Sequence, residues 1–150
     1  GGFLREVGSH FLFLTRRLIG PLQLESGTSA YPEPGRSERQ ITASVKAGGI
    51  PVSVIGRVGT TDLDDHNTWT LTGSKGRIRL RDWSIAEREI DGRWQSPADA
   101  MPNEKARPLV LARQLDKVVA MTAGARTELA SLDEALDVQR IVEAILARTA

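Results

Sequence analysis

The chain has 150 residues, of which 40% are hydrophobic and 26% are charged, proportions that are typical of a single globular domain. A net charge of +1 gives no reason to expect a nucleic-acid partner, and the longest apolar run is far below the roughly 20 residues that span a bilayer. Cysteine is absent, which excludes disulfides, thiolate metal ligands and a cysteine nucleophile but does not identify a compartment. The cytoplasm is the default expectation.

A helix is predicted from the first residues to the Gly20-Pro21 pair, which ends it. On a helical wheel its apolar residues form one broad face: Phe3, Leu4, Val7, Phe11, Leu14 and Leu18. Glu6, His10 and Arg17 fall together along one flank of that face. Because Glu6 and His10 are one turn apart, a carboxylate and an imidazole can act on one ligand atom or on each other. Neither an initiator Met nor an N-cap residue precedes the pattern, so the segment is expected to be cut from a longer polypeptide.

Each feature of this helix also has a purely structural interpretation. His10 can be a hydrogen-bonded histidine at the edge of a core. The nearby carboxylate of Glu6 instead favours a role for His10 in proton transfer with a substrate hydroxyl. Gly8 costs about 1 kcal/mol relative to Ala in a helix interior, which requires a compensating close approach by a ligand or by a second element. Spacing alone does not decide between those two neighbours.

After the first helix the pattern changes from period 3.6 to period 2 and predicts an antiparallel meander. A first strand is expected within residues 22–31, before a polar loop. Three hairpins follow, with turns at residues 48–49, 73–76 and 91–92. No helical crossover fits between residues 40 and 95, so parallel pairing is excluded there. The expected fold class is α+β, a mostly antiparallel open sheet of about six strands with helices packed on one face.

Two more helices are predicted after a loop at residues 96–107. Pro108 is expected at the start of the first of these helices and Gly124 at its end. The last helix begins with Ser131 and Glu134, the S-x-x-E spacing of a capping box. Its apolar stripe is expected to be buried and includes Leu132, Leu136, Val142, Ile145 and Leu146.

An acidic run near the middle of the chain offers the oxygen ligands that calcium and magnesium prefer. It contains Asp62, Asp64, Asp65 and His66. Because the glycine and the distal Glu of an EF-hand loop are missing, a solvated turn between two hairpins is the better interpretation. The sequence also lacks a phosphate-binding loop, a G-x-S-x-G elbow and an H-E-x-x-H motif, so any cofactor must be bound largely elsewhere.

Arginines alternate along one predicted strand of the meander. Arg77, Arg79 and Arg81 project to the same face of that strand. Glu87 and Glu89 on the next strand are positioned to pair with them across the sheet. A charged sheet face is therefore expected there rather than an anion site.

Three segments of the chain resemble the Gfo/Idh/MocA oxidoreductases, a family that includes glucose-fructose oxidoreductase and inositol dehydrogenase. Residues 1–10, G-G-x-L-x-E-x-G-x-H, are similar to the family's G-G-x-L-x-D-x-G-x-H segment. Residues 73–80 are similar to its G-T-x-G-x-L-x-L hairpin, and residues 131–145 to its closing helix. The resemblance covers essentially all of the chain. It implies that residues 1–150 form a carboxy-terminal substrate-binding and dimerisation domain, whose amino-terminal Rossmann domain is absent from this chain.

The resemblance implies hydride transfer between NAD or NADP and a carbon that bears a hydroxyl, commonly on a sugar or a cyclic polyol. In that scheme His10 is the catalytic residue that hydrogen-bonds the reacting hydroxyl, and Glu6, His10 and Arg17 bind the substrate. Glu6 stands where the family usually has Asp. The absent domain is expected to bind most of the cofactor and to hold the family's E-K-P lysine, so the isolated domain is expected to be inactive.

The same resemblance implies partners and leaves alternatives. The family tends to dimerise, often through the open face of this sheet, so a homo-oligomer is expected. Neither nucleic acid nor a membrane is an expected partner. One alternative is a stand-alone ligand-binding or dimerisation module that encloses a small molecule without chemistry. Another is a different α+β enzyme, an explanation that gains if His10 is buried against core side chains rather than lining a cleft.

Overall fold

The computed structural model describes residues 2–60 and 66–149, and these fall into two compact units. The first unit combines the described residues up to 60 with those from 130 onward, whereas the second holds the described residues between them. The chain therefore leaves the first unit after its third strand and returns to it for its last helix.

Helices and strands follow one another in the predicted order. A π-helical turn (the π-turn, Leu4–Gly8) runs directly into α1 (Ser9–Ile19). The strands of the first unit are β1 (Leu22–Ala30), β2 (Gln40–Ala47) and β3 (Ile50–Arg57). Those of the second unit are β4 (Thr68–Gly73), β5 (Gly76–Arg81), β6 (Ile85–Ile90) and β7 (Arg93–Gln95). The last two helices are α2 (Asn103–Thr122) and α3 (Leu132–Leu146).

The strands form two antiparallel sheets, with strand orders β1-β2-β3 and β4-β5-β6-β7. The α+β fold class with open antiparallel sheets is therefore confirmed, and the three predicted hairpins all form. The structure differs from the predicted single meander of about six strands, because the described strands number seven and divide between two sheets. The physical reason is that a hairpin signal determines only which neighbouring strands pair, and no such short turn joins β3 to β4.

The core of the first unit lies between its sheet and two helices. Alternate residues of β2 are buried and share one face: Ile41, Ala43, Val45 and Ala47. The period of two that predicted this strand therefore also identifies its core face. Leu4 and Leu12 pack onto this face together with apolar residues of α3. Burial of each of these leucines contributes about 1.5 to 3 kcal/mol. Because both helices contribute residues to this one core, their predicted packing on one face of the sheet is confirmed for α1 and α3.

Helix α3 begins where it was predicted to begin but buries a different stripe. Ser131 Oγ accepts the N–H of Glu134 at 3.2 Å, and Glu134 Oε2 accepts the N–H of Ser131 at 2.9 Å, which confirms the capping box. Leu132 and Leu136 are 88% and 47% exposed, so their predicted burial is wrong. The amino-terminal half of the helix faces Arg16 of α1, which forms ion pairs there with the carboxylates of Glu134 and Asp137. The buried residues come from later turns: Val138, Ile141, Val142, Ile145 and Leu146.

Helix α2 differs from the prediction in where it begins and in what it buries. It starts at Asn103, so Pro108 removes one hydrogen bond from inside the helix instead of marking its start. None of its side chains is buried. Within the second unit, the described elements leave the apolar residues of α2 exposed. The exposed stripe consists of Leu111, Leu115, Val118 and Val119.

Ion pairs join the π-turn and α1 to α3. Arg5 donates from Nε and Nη2 to the two carboxylate oxygens of Glu143, at 2.9 and 2.7 Å. Further along, Arg16 donates two hydrogen bonds to Asp137, at 3.0 and 2.7 Å. Residue numbers on α3 fall as those on the first segment rise, so the two helices run antiparallel. The paired arginines thus hold the first helical segment against α3 at both of its ends.

We expect the first unit to lose stability in acid through Glu143. The hydrogen bond from Arg5 holds the pKa of the Glu143 carboxyl below its usual range. Because the folded protein binds this proton less readily than the unfolded chain, the stabilisation is complete above the unfolded pKa of about 4.3 and is lost as the pH falls through the lower folded value. Glu143→Gln should lower the free energy of unfolding at pH 7 by about 0.5 kcal/mol, since the pair is half exposed.

Urea unfolding followed by circular dichroism at pH 7 and at pH 3.5 measures both effects. The variant should show a smaller difference between the two pH values than the wild-type chain. Glu33→Gln is the matched control, since Glu33 is 71% exposed in its pair with Arg36. Equal acid losses in the wild-type chain and in Glu143→Gln would show that this ion pair contributes nothing to stability.

Candidate functional site

All three predicted site residues lie on the exposed surface of the first helical segment. Glu6 lies in the π-turn, His10 in the first turn of α1 and Arg17 near the end of α1. Since His10 is exposed, it is not packed among core side chains. Burial of His10 against the core, which would have favoured a different α+β enzyme, is therefore not observed.

The π-turn decides which side of this segment is buried. The N–H of Ser9 donates to the carbonyl of Leu4, so this turn holds one residue more than an α-helical turn. The buried positions of the segment are Leu4, Gly8, Leu12 and Thr15, of which the first three follow a spacing of four. The wheel of a regular helix predicted a different face. Its other members are half-buried or, for the last of them, exposed: Phe3, Val7, Phe11, Leu14 and Leu18.

Glu6 and His10 share the side of the segment that faces away from the core. Glu6 falls midway between Leu4 and Gly8, and His10 falls midway between Gly8 and Leu12. The midpoint between two residues that are stacked one turn apart lies on the opposite side of a helix. The prediction that both residues flank the apolar face therefore changes. A carboxylate and an imidazole occupy the solvent-facing side of one short segment.

Gly8 owes its place to packing within the helix itself. It is buried, and a Cβ added to it would lie 2.6 Å from Cδ1 of Leu4. Such a distance is too short for a carbon–carbon contact, so a side chain here would force the Leu4 side chain to shift. The second element that was expected as one possible neighbour of Gly8 is not the group observed there. The close neighbour is a leucine of the preceding turn.

Arg17 is directed towards α3. Its Nη1 atom lies 3.8 Å from Oε2 of Glu134, and its guanidinium lies 6.0 Å from the centre of the Phe13 ring. Arg17 also follows His10 by two helical turns, which is about 10 Å along the helix axis. The structure therefore aligns Glu6 with His10 but engages Arg17 at the junction between α1 and α3.

One buried carboxylate beside this segment was missed by the sequence reasoning. Glu38 is only 3% exposed, and its Oε1 atom accepts the N–H of Leu4 at 2.6 Å. The first N–H groups of any helix lack acceptors within the helix. Phe3 occupies the N-cap position and has no side-chain acceptor, which was the available signal that another residue could supply one. The sequence could not identify which one, because Glu38 lies in the polar loop before β2.

A cleft of about 550 Å³ opens beside Glu38. Its lining is mostly polar and comes chiefly from the loop before β2, with one aromatic ring from the start of the first helical segment and one valine that follows β3. The residues that line it are Phe3, Pro32, Glu33, Arg36, Ser37, Glu38, Arg39 and Val58. Glu6 and His10 do not contribute to this lining. The cleft therefore borders the amino-terminal end of the segment, whereas the candidate catalytic side chains lie on its exposed side.

The predicted acidic run lies mostly outside the described residues, which exclude Asp62, Asp64 and Asp65. His66 is described and exposed, with Nδ1 at 3.6 Å from a carboxylate oxygen of Asp82. Within the described ranges, no three or more His, Asp or Glu residues are grouped so as to hold a metal ion. In the same ranges, no helix has both the length and the apolar character needed to cross a membrane.

The charged face of the second sheet forms as predicted. Arg79 Nε donates to Oε2 of Glu87 at 2.6 Å, and its guanidinium lies 4.3 Å from the centre of the Trp94 ring. Arg77 pairs with Glu89 at 3.2 Å. The hydrogen bond from Arg79 lowers the pKa of the Glu87 carboxyl. These arginines are engaged by carboxylates of the neighbouring strand, which confirms a charged sheet face rather than an anion site.

Comparison with known proteins identifies the fold but no sequence relative. No protein-family model matches the chain, and no curated protein sequence matches it. The solved structure of KijD10, a 3-ketoreductase from Actinomadura kijaniata in complex with NADP and TDP-benzene, superimposes with a TM-score of 0.67 at 14% identity, over 99% of this chain and 46% of that one. A mutant form of KijD10 reaches 0.68 at 14% identity, over 99% and 48% of the two chains.

A second solved protein has the same fold. The dehydrogenase MviM from Clostridium difficile superimposes with a TM-score of 0.67 at 13% identity, over 97% of this chain and 47% of that one. The chain thus spans about half the length of the solved structures that it matches. Its fold is the fold of about half of a ketoreductase and of a dehydrogenase.

The pairing of Arg79 with Glu87 yields a stability prediction for the second unit. Glu87 is only 9% exposed, and removal of its main donor leaves a buried carboxylate with one longer hydrogen bond, from Arg81 at 3.3 Å. Arg79→Ala should therefore lower the free energy of unfolding of this unit by about 1 to 2 kcal/mol. Tryptophan fluorescence reports this unit, since all three tryptophans lie in it.

The matched control is Arg88→Ala on the neighbouring strand. Arg88 is exposed and projects to the opposite face of the sheet, so its loss should change the free energy by less than about 0.5 kcal/mol. If both variants unfold at the same urea concentration, the ladder of arginines and glutamates does not stabilise this sheet.

Proposed function

We propose that this chain is the substrate-binding half of an NAD(P)-dependent oxidoreductase of the Gfo/Idh/MocA type. Its substrate would be a CH–OH group of a sugar, a polyol or a related compound. The observation that carries the proposal is the fold, since a ketoreductase solved with NADP and a dehydrogenase both contain it over about half of their length. The resemblance of residues 1–10 to the family segment supports the same assignment.

The described residues do not fit a dinucleotide. Dinucleotide folds bind the pyrophosphate at a helix that follows a parallel strand, through a glycine-rich turn. Both described sheets of this chain are antiparallel, and its sequence has no such turn. We therefore propose that NAD or NADP, which would accept or supply the hydride, is bound mainly by a separate Rossmann domain of the same protein.

Within this chain, His10 is proposed as the catalytic residue. An imidazole can accept and donate a proton near neutral pH, and on the exposed side of α1 it can reach a substrate from solution. In the oxidation direction it hydrogen-bonds the reacting hydroxyl and assists the loss of its proton. Glu6, on the same side of the segment, can accept a hydrogen bond from a second hydroxyl. Arg17 is a lesser substrate contact, since Glu134 already engages it.

The role of His10 can be tested in the intact protein. His10→Ala should lower kcat for a sugar or polyol substrate by roughly 10²-fold, the usual scale for a general acid or base. His66→Ala is the matched control, because His66 is the other of the two histidines, is also exposed and belongs to the second unit.

A substrate screen with NAD and with NADP measures the activity. An unchanged kcat in His10→Ala would remove His10 from the mechanism. A wild-type protein that binds sugars but never turns them over, with either nucleotide, would instead support the stand-alone ligand-binding module.

We also propose that the protein forms homo-oligomers through one face of the β4–β7 sheet. The face combines a row of exposed threonines on β4 with the arginines of β5, and Thr70 lies directly opposite Arg79. Since Glu87 and Trp94 hold the Arg79 side chain in place, the face is ordered before any partner binds, and less entropy is lost on association.

Thr70→Arg tests this surface by adding a bulky cation beside Arg79. If the face is the interface, light scattering should show a shift from oligomer to monomer of at least tenfold in the dissociation constant, because like charges are then brought together. Ala86→Arg is the matched control, since exposed Ala86 belongs to the opposite face of the same sheet. Equal masses for Thr70→Arg and the wild-type protein would place the interface elsewhere.

A further inference from the structure

Glu38 is a buried charged group to which the proposed function gives no role. A carboxylate loses its hydration on burial, and that cost is offset only where hydrogen bonds replace the water. Here the N–H of Leu4 donates to Oε1 at 2.6 Å. A carboxylate at this end of a helix also interacts favourably with the helix dipole. Glu38 and the start of the helical segment therefore satisfy one another.

Residues at the start of the segment pack closely against the Glu38 carboxylate. Gly2 has a φ of +144°, and a Cβ added to it would lie 2.5 Å from Oε2 of Glu38. A Cβ at Gly56 of β3 would overlap the ring of Phe3. Glycines at these two positions thus allow residues 2–4 to lie directly against the carboxylate and against β3. The start of the segment therefore has two close contacts with the rest of the first unit.

Backbone hydrogen bonds connect the held residues to the candidate site. The N–H of Glu6 donates to the carbonyl of Gly2 at 3.0 Å, and Gly2 is the residue packed on Glu38. The N–H of Ser9, next to His10, donates to the carbonyl of Leu4, and Leu4 is the residue that Glu38 accepts from. The wide spacing of the π-turn, which sets the direction of both side chains, therefore begins at residues that Glu38 fixes.

We propose that Glu38 is a positioning residue for Glu6 and His10. Its carboxylate holds Gly2 and Leu4, and the π-turn built on these two residues orients the candidate catalytic side chains. The proposal rests on the proposed function, because it concerns the same site. Glu38 itself need not touch the substrate, since it acts through the backbone of the segment.

Kinetics of the intact protein with two Glu38 variants test the proposal. Glu38→Ala removes the acceptor for Leu4 and should lower kcat by roughly 10-fold to 100-fold, as expected when a catalytic group is displaced by about 1 Å. Glu38→Gln keeps an oxygen acceptor and should retain kcat within about threefold of the wild-type value. If Glu38→Ala does not fold, Glu38→Gln is compared instead with Glu38→Leu. Leu has about the size of Gln but lacks the oxygen acceptor, so this pair of variants isolates the acceptor.

Two comparisons separate positioning from a general loss of stability. Ser131→Ala removes the cap of α3 in the same unit and should leave kcat within about twofold, although it loses a comparable helix cap. In a His10→Ala background, Glu38→Ala should lower kcat by a smaller factor than in the wild-type background, because the part of its effect that acts through His10 is already lost.

Amide hydrogen exchange gives a readout that does not depend on activity. The N–H groups of Glu6 and Ser9 should exchange at least tenfold faster in Glu38→Ala than in the wild-type protein, and at the wild-type rate in Ser131→Ala. Faster exchange together with the loss of kcat supports the proposal. An unchanged exchange rate or an unchanged kcat in Glu38→Ala overturns it, and so does an equal fall of kcat in Ser131→Ala.

The proposed function fails in a different way. A wild-type protein without turnover of any sugar or polyol, with NAD or NADP, overturns the proposed function and with it the positioning role. A wild-type protein that is active and depends on His10, but not on Glu38, overturns the positioning role alone.

Discussion

Burial of one face of β2 is the constraint on which the first unit depends. Ile41, Ala43, Val45 and Ala47 occupy alternate positions and are all buried, so the strand presents a continuous apolar surface to one side. The helices α1 and α3 must cover that surface, since an uncovered apolar face of this size is costly in water. Once the first helical segment lies on β2, its opposite side faces solvent. The exposure of Glu6 and His10 therefore follows from packing beneath them.

Electrostatic contacts then decide how the first helical segment lies on that sheet. Bidentate pairing of Arg5 with Glu143 and the two hydrogen bonds from Arg16 to Asp137 align the segment with α3. At the start of the segment, the buried carboxylate of Glu38 takes the place of a local N-cap. Each of these contacts is modest by itself, but they act at separate points along one rigid element.

Much of the fold could be predicted because its signals are local. Alternation in β2, the glycines of the 48–49 turn and the capping box of Ser131 each depend on residues that are close in sequence, and each was confirmed. The same reasoning failed for Leu132 and Leu136, because a wheel identifies an apolar stripe but not the partner that covers it. In the candidate site, the sequence predicted that Glu6 and His10 share one side of the helix, and their roles stay predictions, whereas Glu38 was missed.

The sequence by itself determined the element order, the hairpins and the helical segment that carries a carboxylate and an imidazole, since periodicity and turn chemistry act over a few residues. Only the tertiary structure decided which side of that segment is buried. The π-turn shifts the buried positions to Gly8 and Leu12, and a regular wheel cannot represent this change. Glu38 likewise comes from a loop distant in sequence, and its contact with Leu4 exists only once the chain has folded. Long-range burial, rather than local propensity, sets the geometry of the site.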